Sequence, residues 1–266
     1  MKKPTDRAPA QEGSAVKTVA KVLDLLEHVA AVGRPVSVSE LAATTGFNVS
    51  TAHRLMQTLT RRNYVDQDPA TRAYTLGPRL LELGSAYTRS LDLIGAARPR
   101  IEELRDLASE TVHLAILSER DVVEICTAAG RQAVTVSMGA GRRDPAHCTA
   151  TGKVLLAALP PGEIERFFAA GPLQSATPRS ITDRKAFVAE LTRVRKAGYA
   201  IDDEELCADV CCVGVPILNR SGRAVAALSL AMPKARFRSR NVASLVKMLH
   251  ESSARISSAL ALSGAN

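Results

Sequence analysis

The spacing of apolar residues changes at Thr111, and the change limits what this chain can fold into. From Val16 to Ala108 apolar side chains recur every three or four residues, the period of helices with one buried face. From Thr111 the period falls to two, in TVHLAIL (Thr111 to Leu117), VVEIC (Val122 to Cys126) and AVTVSM (Ala133 to Met138), with a Gly-rich segment at 139–143. A helical first part followed by a strand-rich second part predicts an α+β chain, and 266 residues are enough for two modest domains.

The helical part is regular enough to read in detail. Val16, Val19, Leu23, Leu26 and Ala30, with Lys17, Lys21, Asp24 and Glu27 between them, predict an amphipathic helix ended by Gly33 and Pro35. A short second helix opens at Ser39 and closes at Gly46, and a third runs from about Asn48 to Arg62. Two helices joined by so short a Gly-led turn form a helix-turn-helix. On a wheel of about 100° per residue the third helix gathers Ala52, Leu55, Met56 and Leu59 on one side, with Ser50, Arg54, Gln57 and Arg61 opposite and Thr51, His53 and Thr58 on the flanks. The polar side offers the groups that bond guanine, adenine and phosphate. Ser50, Thr51, His53, Arg54 and Gln57 are therefore candidates for base contact, and Arg61 and Arg62 for phosphate. Tyr64 to Gln67 and Arg72 to Leu76 flank the turn Asp68-Pro69-Ala70-Thr71 and predict a hairpin, or wing, with Arg72 near its tip as a further phosphate or minor-groove contact.

Charge supports this by its local arrangement more than by its sum. The chain carries 35 Lys and Arg against 27 Asp and Glu, a formal +8, yet residues 1–75 hold only 10 of the cations against 7 acids. The informative stretch is Leu41 to Val65, which contains no carboxylate and does contain His53, Arg54, Arg61 and Arg62. A polyanion lying there meets no repulsion. With 3% aromatic residues and no Trp, the chain has little with which to stack single-stranded bases. Five Cys, none spaced C-x-x-C, argue against a disulfide framework or a zinc knuckle and predict reduced thiols in the cytoplasm. No apolar run reaches membrane-spanning length, and residues 1–14 read as a disordered tail.

With these elements in place the chain resembles the IclR family of bacterial transcriptional regulators. The residues that carry the resemblance are VKTVAKVLDLLE (Val16 to Glu27), SVSELAATTG (Ser37 to Gly46), STAHRLMQTL (Ser50 to Leu59) and YTLGPRLLELG (Tyr74 to Gly84), then HCTATGKVLLA (His147 to Ala157), Ile181 to Glu205 and Cys211 to Leu230. It spans roughly residues 15–262. It implies a winged helix-turn-helix domain (15–76), a linker helix (77–95) and a GAF-like α/β effector-binding domain (96–266), assembled as a homodimer or a dimer of dimers. The expected partners are double-stranded operator DNA and a small organic acid, with no membrane partner, no cofactor, no metal and no catalysis.

The second part gives weaker signals of its own. Two helical patterns between Leu76 and Ala108 are expected to break around Gly95 and Pro99. ATGKV is not a phosphate loop, because His147 stands where its first Gly belongs and Val154 follows Lys153. Ala150, Thr151 and Gly152 instead begin a helix whose free N–H groups can hold a carboxylate. Four acids in a row, Asp202 to Glu205, read as a solvated turn. Val210 to Leu218 and Val225 to Ala231, around Asn219 to Gly222, read as a hairpin that sets Cys212 and Ser229 on neighbouring strands. The resemblance places the effector on Ala150, Thr151, Asp202, Cys212 and Ser229, with Val210 as an apolar wall. It expects a second hydroxyl where this chain has Ala231, which suggests a less polar pocket and a larger, aromatic acid. His113 either faces this pocket or packs. His147 and Cys148, as strand neighbours, would point apart and could not share a proton. A second reading remains, a redox or metal sensor acting through Cys148, Cys207, Cys211 and Cys212.

Overall fold

The structure is a computed structural model that describes residues 17–90, 92–136 and 139–262, so the expected 1–14 tail lies outside it. The chain divides into two compact units, residues 1–87 and 88–266.

The first unit contains α1 (Lys17–Val32), α2 (Val38–Thr45), α3 (Val49–Arg61), β1 (Val65–Gln67) and β2 (Tyr74–Leu76), followed by α4 (Pro78–Ser90). Its helices stop and start on caps. The Ser37 hydroxyl receives the Glu40 N–H, Gly46 ends α2 at φ +67°, and the Asn48 side chain receives the Thr51 N–H. That left-handed Gly is what lets α3 follow α2 after only three intervening residues. Leu25, Val29, Leu41, Met56, Leu59, Val65 and Tyr74 form the core. β1 and β2 pair antiparallel, Val65 opposite Leu76, and the Asp68 carboxylate receives the N–H groups of Ala70 and Thr71 to fix the turn between them. These elements are the expected helix-turn-helix and wing.

The second unit is an antiparallel six-stranded sheet. Its strands are β3 (Thr111–Ser118), β4 (Asp121–Ala128), β5 (Arg143–Pro145), β6 (Ala200–Asp203), β7 (Val210–Leu218) and β8 (Ala224–Pro233), in the order β5-β4-β3-β8-β7-β6. Val112, Leu114, Val213, Val215, Leu228 and Leu230 turn to one face, where they share a core with α5 (Asp92–Ala108) and α10 (Val242–Leu262). The other face carries Ala115, Gly214, Ala227 and Ala231, small residues that let α6 (Ala150–Ala158) lie close. A Cβ on Gly214 would come within 3.2 Å of the Ala150 backbone. α7 (Pro161–Ala169) and α8 (Arg184–Ala197) complete that layer around Phe167, Phe187 and Leu191, and α9 (Lys234–Ser239) follows β8.

Two expected elements are corrected. The helix break at Gly95 and Pro99 does not occur, because α5 runs through both. Ala97, Ile101, Leu104 and Ala108 are buried, while Gly95 and Pro99 lie on the exposed side, so packing outweighs the lost backbone bond. AVTVSM is not a strand over 133–136, and its last two residues lie outside the described ones. The strand on the other side of β4 from β3 is instead Arg143–Pro145, which alternation did not reveal because it is short and polar.

Candidate functional sites

The exposed site lies on α3. Ala52, Met56 and Leu59 are buried against the first unit's core, and Leu55 is half-buried. Ser50, Arg54 and Arg61 are exposed, Thr51, His53 and Gln57 half-buried, and Arg62 stands exposed as the helix C-cap. The sequence from Leu41 to Val65 holds no acid, and Glu40 just before it pairs with Arg34 at 3.0 Å. Arg72 is exposed at φ +60° in the wing turn, where its N–H donates to the Asp68 carbonyl. All eight sequence candidates are on the first unit's surface or partly so.

The buried site lies where α6 begins over the second unit's sheet. Thr149 caps α6, its hydroxyl receiving the Gly152 N–H at 2.9 Å, and Ala150 and Thr151 follow, both buried. Ala150, Thr151, Asp202, Cys212 and Ser229 line one small pocket with His113 and Glu124, a cavity of about 20 Å³. Strand register explains the convergence: Asp202 pairs with Cys212, Gly214 with Ser229, and Ser229 with His113. Val210 packs beside Ala150 and Cys212 without lining the pocket. Gly152 is the residue that does not fit its expected role. Its N–H is already bonded to Thr149, and a Cβ there would fall 2.0 Å from the Ala146 carbonyl oxygen, so it serves close packing. A larger open groove, about 1180 Å³, lies elsewhere between α6, α7 and the ends of β3 and β8, and none of the expected residues line it.

The acidic run is not a solvated turn. Asp202 and Glu205 are buried, and the Asp202 Oδ1 receives the Glu205 N–H at 2.7 Å and the Leu206 N–H at 3.4 Å. Burial pushes the Asp202 carboxyl up to about 7, against those two bonds and the attraction of Lys153. Lys153, fully buried, donates to Glu205 at 2.5 Å, to Glu190 at 3.2 Å and to the Ile201 carbonyl. Asp203 and Glu204 face Arg179, with Arg238 and Lys234 completing the cluster.

Ala231, where a second hydroxyl was expected, packs with Ala150 and Cys212. It is fully buried opposite Cys212, outside the pocket lining, which also includes Thr149 and Asp144. His113 faces the pocket and bonds Glu124, a partner that sequence reasoning missed. The signal was available, since Glu124 is a lone charge inside the apolar run VVEIC. His147 and Cys148 are also corrected: they lie in a 3-10 turn, not a strand, and both side chains approach the Gln174 carbonyl. Burial lowers the His147 imidazole and raises the Cys148 thiol, the opposite of an activated pair. Cys211 and Cys212 are strand neighbours on opposite faces, burial holding Cys211 up to about 12 and Cys212 well above its ordinary value, while Cys207 is exposed. Among the described residues no group of three or more His, Cys, Asp or Glu is placed to hold a metal, and no helix is long and apolar enough to cross a membrane.

A winged helix-turn-helix with a cationic exposed face, and a second unit with a polar pocket under a helix start, define a ligand-responsive DNA-binding transcriptional regulator. The chain belongs to the IclR family: the family's C-terminal model, described as bacterial transcriptional regulator IclR C-terminal, matches residues 85–258, and its helix-turn-helix model matches residues 18–69. It is 32% identical over 247 residues to the HTH-type transcriptional regulator KdgR of Escherichia coli, covering 93% of this chain and 94% of that one. Among solved structures, a regulator from Rhodococcus sp. RHA1 superposes with a TM-score of 0.82 at 31% identity, covering 94% of this chain and all of the other. An IclR homolog from Microbacterium hydrocarbonoxydans, complexed with 4-hydroxybenzoate, has a TM-score of 0.80 at 26% identity over 91% of this chain and 98% of that one.

Proposed function

We propose that this chain is a cytoplasmic homo-oligomer that controls a catabolic or metabolic operon by binding a palindromic operator. The α3 face supplies base contacts through Ser50, Thr51, His53, Arg54 and Gln57, and phosphate contacts through Arg61 and Arg62, while Arg72 reaches a flanking phosphate from the wing. One winged helix reads one half-site, so a palindrome requires two copies. A small organic acid bound in the second unit modulates operator affinity.

The observation that carries the effector reading is the convergence in one pocket of Ala150, Thr151, Asp202, Cys212 and Ser229, drawn from three strands and a helix start. Free amides at the start of α6 suit a carboxylate, and the 4-hydroxybenzoate bound by the Microbacterium relative supports an acid. The lining mixes polar His113, Asp202 and Ser229 with apolar Val122, Ala150 and Leu206, which suits a carboxylic or an aromatic acid. The thiol-sensor reading gains no support from Cys148, Cys211 and Cys212, whose thiols are all held in the protonated form by burial.

Calorimetric titration with lactate, propionate, benzoate and 4-hydroxybenzoate tests the site. Asp202→Ala and Ser229→Ala are expected to abolish binding of whichever acid the wild type takes up, while leaving affinity for operator DNA intact. Undiminished acid binding by both variants overturns the assignment.

A further inference from the structure

The pocket contains one buried polar group that the helix start and Asp202 leave unused. The His113 side chain is 2% exposed, its Nδ1 lies 2.8 Å from the Glu124 Oε2, and its Nε2 has no hydrogen-bond partner. A bulge in the β3–β4 ladder builds this arrangement. His113 pairs with Thr127 and Leu114 with Cys126, but Ala115 pairs with Glu124, so Ile125 is the extra residue. Thr127 and Glu124, three apart, thereby both face His113. The Thr127 hydroxyl donates to the same Glu124 oxygen at 3.1 Å and lies 3.3 Å from Nδ1, so the carboxylate is held from two sides.

That geometry fixes what Nε2 can recognise. A carboxylate only accepts, so Nδ1 carries a hydrogen whether the ring is neutral or charged, and Nε2 accepts in the first form and donates in the second. A ligand hydroxyl satisfies Nε2 in either form, whereas a methyl or ring C–H satisfies neither. The other charges of the pocket do not supply the missing partner: Asp144 is bonded to Arg142 at 2.8 Å, and the Asp202 Oδ1 to backbone N–H groups. We propose that His113 is a specificity-determining residue that reads a hydroxyl on the effector, which places the effector among hydroxylated organic acids, with Glu124 as its positioning residue. This rests on the organic-acid reading of the pocket and narrows it.

The test is calorimetry on the full chain with two matched pairs, lactate against propionate and 4-hydroxybenzoate against benzoate. A buried group left without a partner is costly, so in at least one pair the hydroxylated member is expected to bind about 10-fold or more tightly than its partner. His113→Leu brings the two members of that pair to equal affinity. Glu124→Gln, whose amide oxygen still accepts from Nδ1, keeps the preference, and Glu124→Leu loses it. In the wild-type protein, which needs no variant to fold, the ¹⁵N resonance of His113 Nε2 shifts on addition of the hydroxylated acid and not of its partner. Equal affinities within both pairs, a preference that survives His113→Leu, or a stationary Nε2 resonance overturns the proposal. Failure of all four acids to bind is a different result, which overturns the organic-acid reading and the proposal together.

Discussion

The helices that carry the two sites begin alike and then part company. α3 is capped by the Asn48 side chain, which receives the Thr51 N–H at 2.8 Å, and α6 by the Thr149 hydroxyl, which receives the Gly152 N–H at 2.9 Å. Beyond the cap, Val49 and Ser50 are exposed, whereas Ala150 through Ala157 are all buried. The same local code therefore presents backbone amides to water in one unit and to a buried pocket in the other. In water each charge contributes little and is screened by salt, so recognition has to sum many contacts along a long polyanion. Where water is excluded a single hydrogen bond or proton decides.

The sharpest way to break that contrast is to remove one cation from each region and compare stability. Lys153→Met leaves Glu205 buried without its partner beside Asp202, and is expected to lower unfolding free energy by roughly 3–5 kcal/mol in urea titrations. Arg61→Ala, on the exposed face, is expected to stay within about 0.5 kcal/mol. Equal losses would show that the two surroundings do not differ as described.

Recognition reverses the order. Arg54→Ala is expected to cost roughly 1–3 kcal/mol of operator affinity in mobility-shift titrations and to relax sequence choice, and an unchanged affinity would mean that another face of α3 reads the DNA.

Proton dependence separates the regions next. The Asp202 carboxyl is raised to about 7 chiefly by burial, with Glu205 raising it and Lys153 opposing. Its folded form holds a proton that the unfolded chain releases, so its contribution to stability is complete below about pH 4 and is lost as pH rises through about 7. An acid effector in the same pocket is repelled once Asp202 ionises. Its affinity is expected to fall toward tenfold per pH unit, about 1.4 kcal/mol, above pH 7, and Asp202→Asn is expected to flatten that profile in calorimetry. A wild-type profile already flat between pH 6 and 8 contradicts the assignment.

The smallest expected effect lies at the wing. Arg72→Ala is expected to weaken binding to all DNA sequences alike and to reduce the slope of log affinity against log salt by about 1. A change confined to one operator sequence would instead make Arg72 a base reader.

The exposed site was legible in the sequence because short-range rules govern it: helical period, a Gly that can adopt positive φ, a side-chain cap and an acid-free window all act within about 25 residues. The buried site was legible only in part. Ala150 and Asp202 announce themselves through a helix start and an acidic run, but the burial of that run depends on Lys153, about 50 residues away. The His113–Glu124 pair depends on a bulge at Ile125, and nothing in the VVEIC alternation marks where a ladder gains a residue. Pro99 misled for a related reason, since its cost to α5 is local while the packing of Ile101 and Leu104 that offsets it comes from the sheet and α10.

If the acid modulates operator affinity, the two sites are thermodynamically coupled and the coupling is reciprocal. Operator affinity is measured by fluorescence anisotropy, on a duplex selected by the protein from a random pool, without and with a saturating concentration of the acid that binds. Acid affinity is measured by calorimetry on the free protein and on the protein–duplex complex. Both affinities are expected to change, and by the same factor. An acid that binds the Asp202 pocket and leaves duplex affinity unchanged contradicts that coupling.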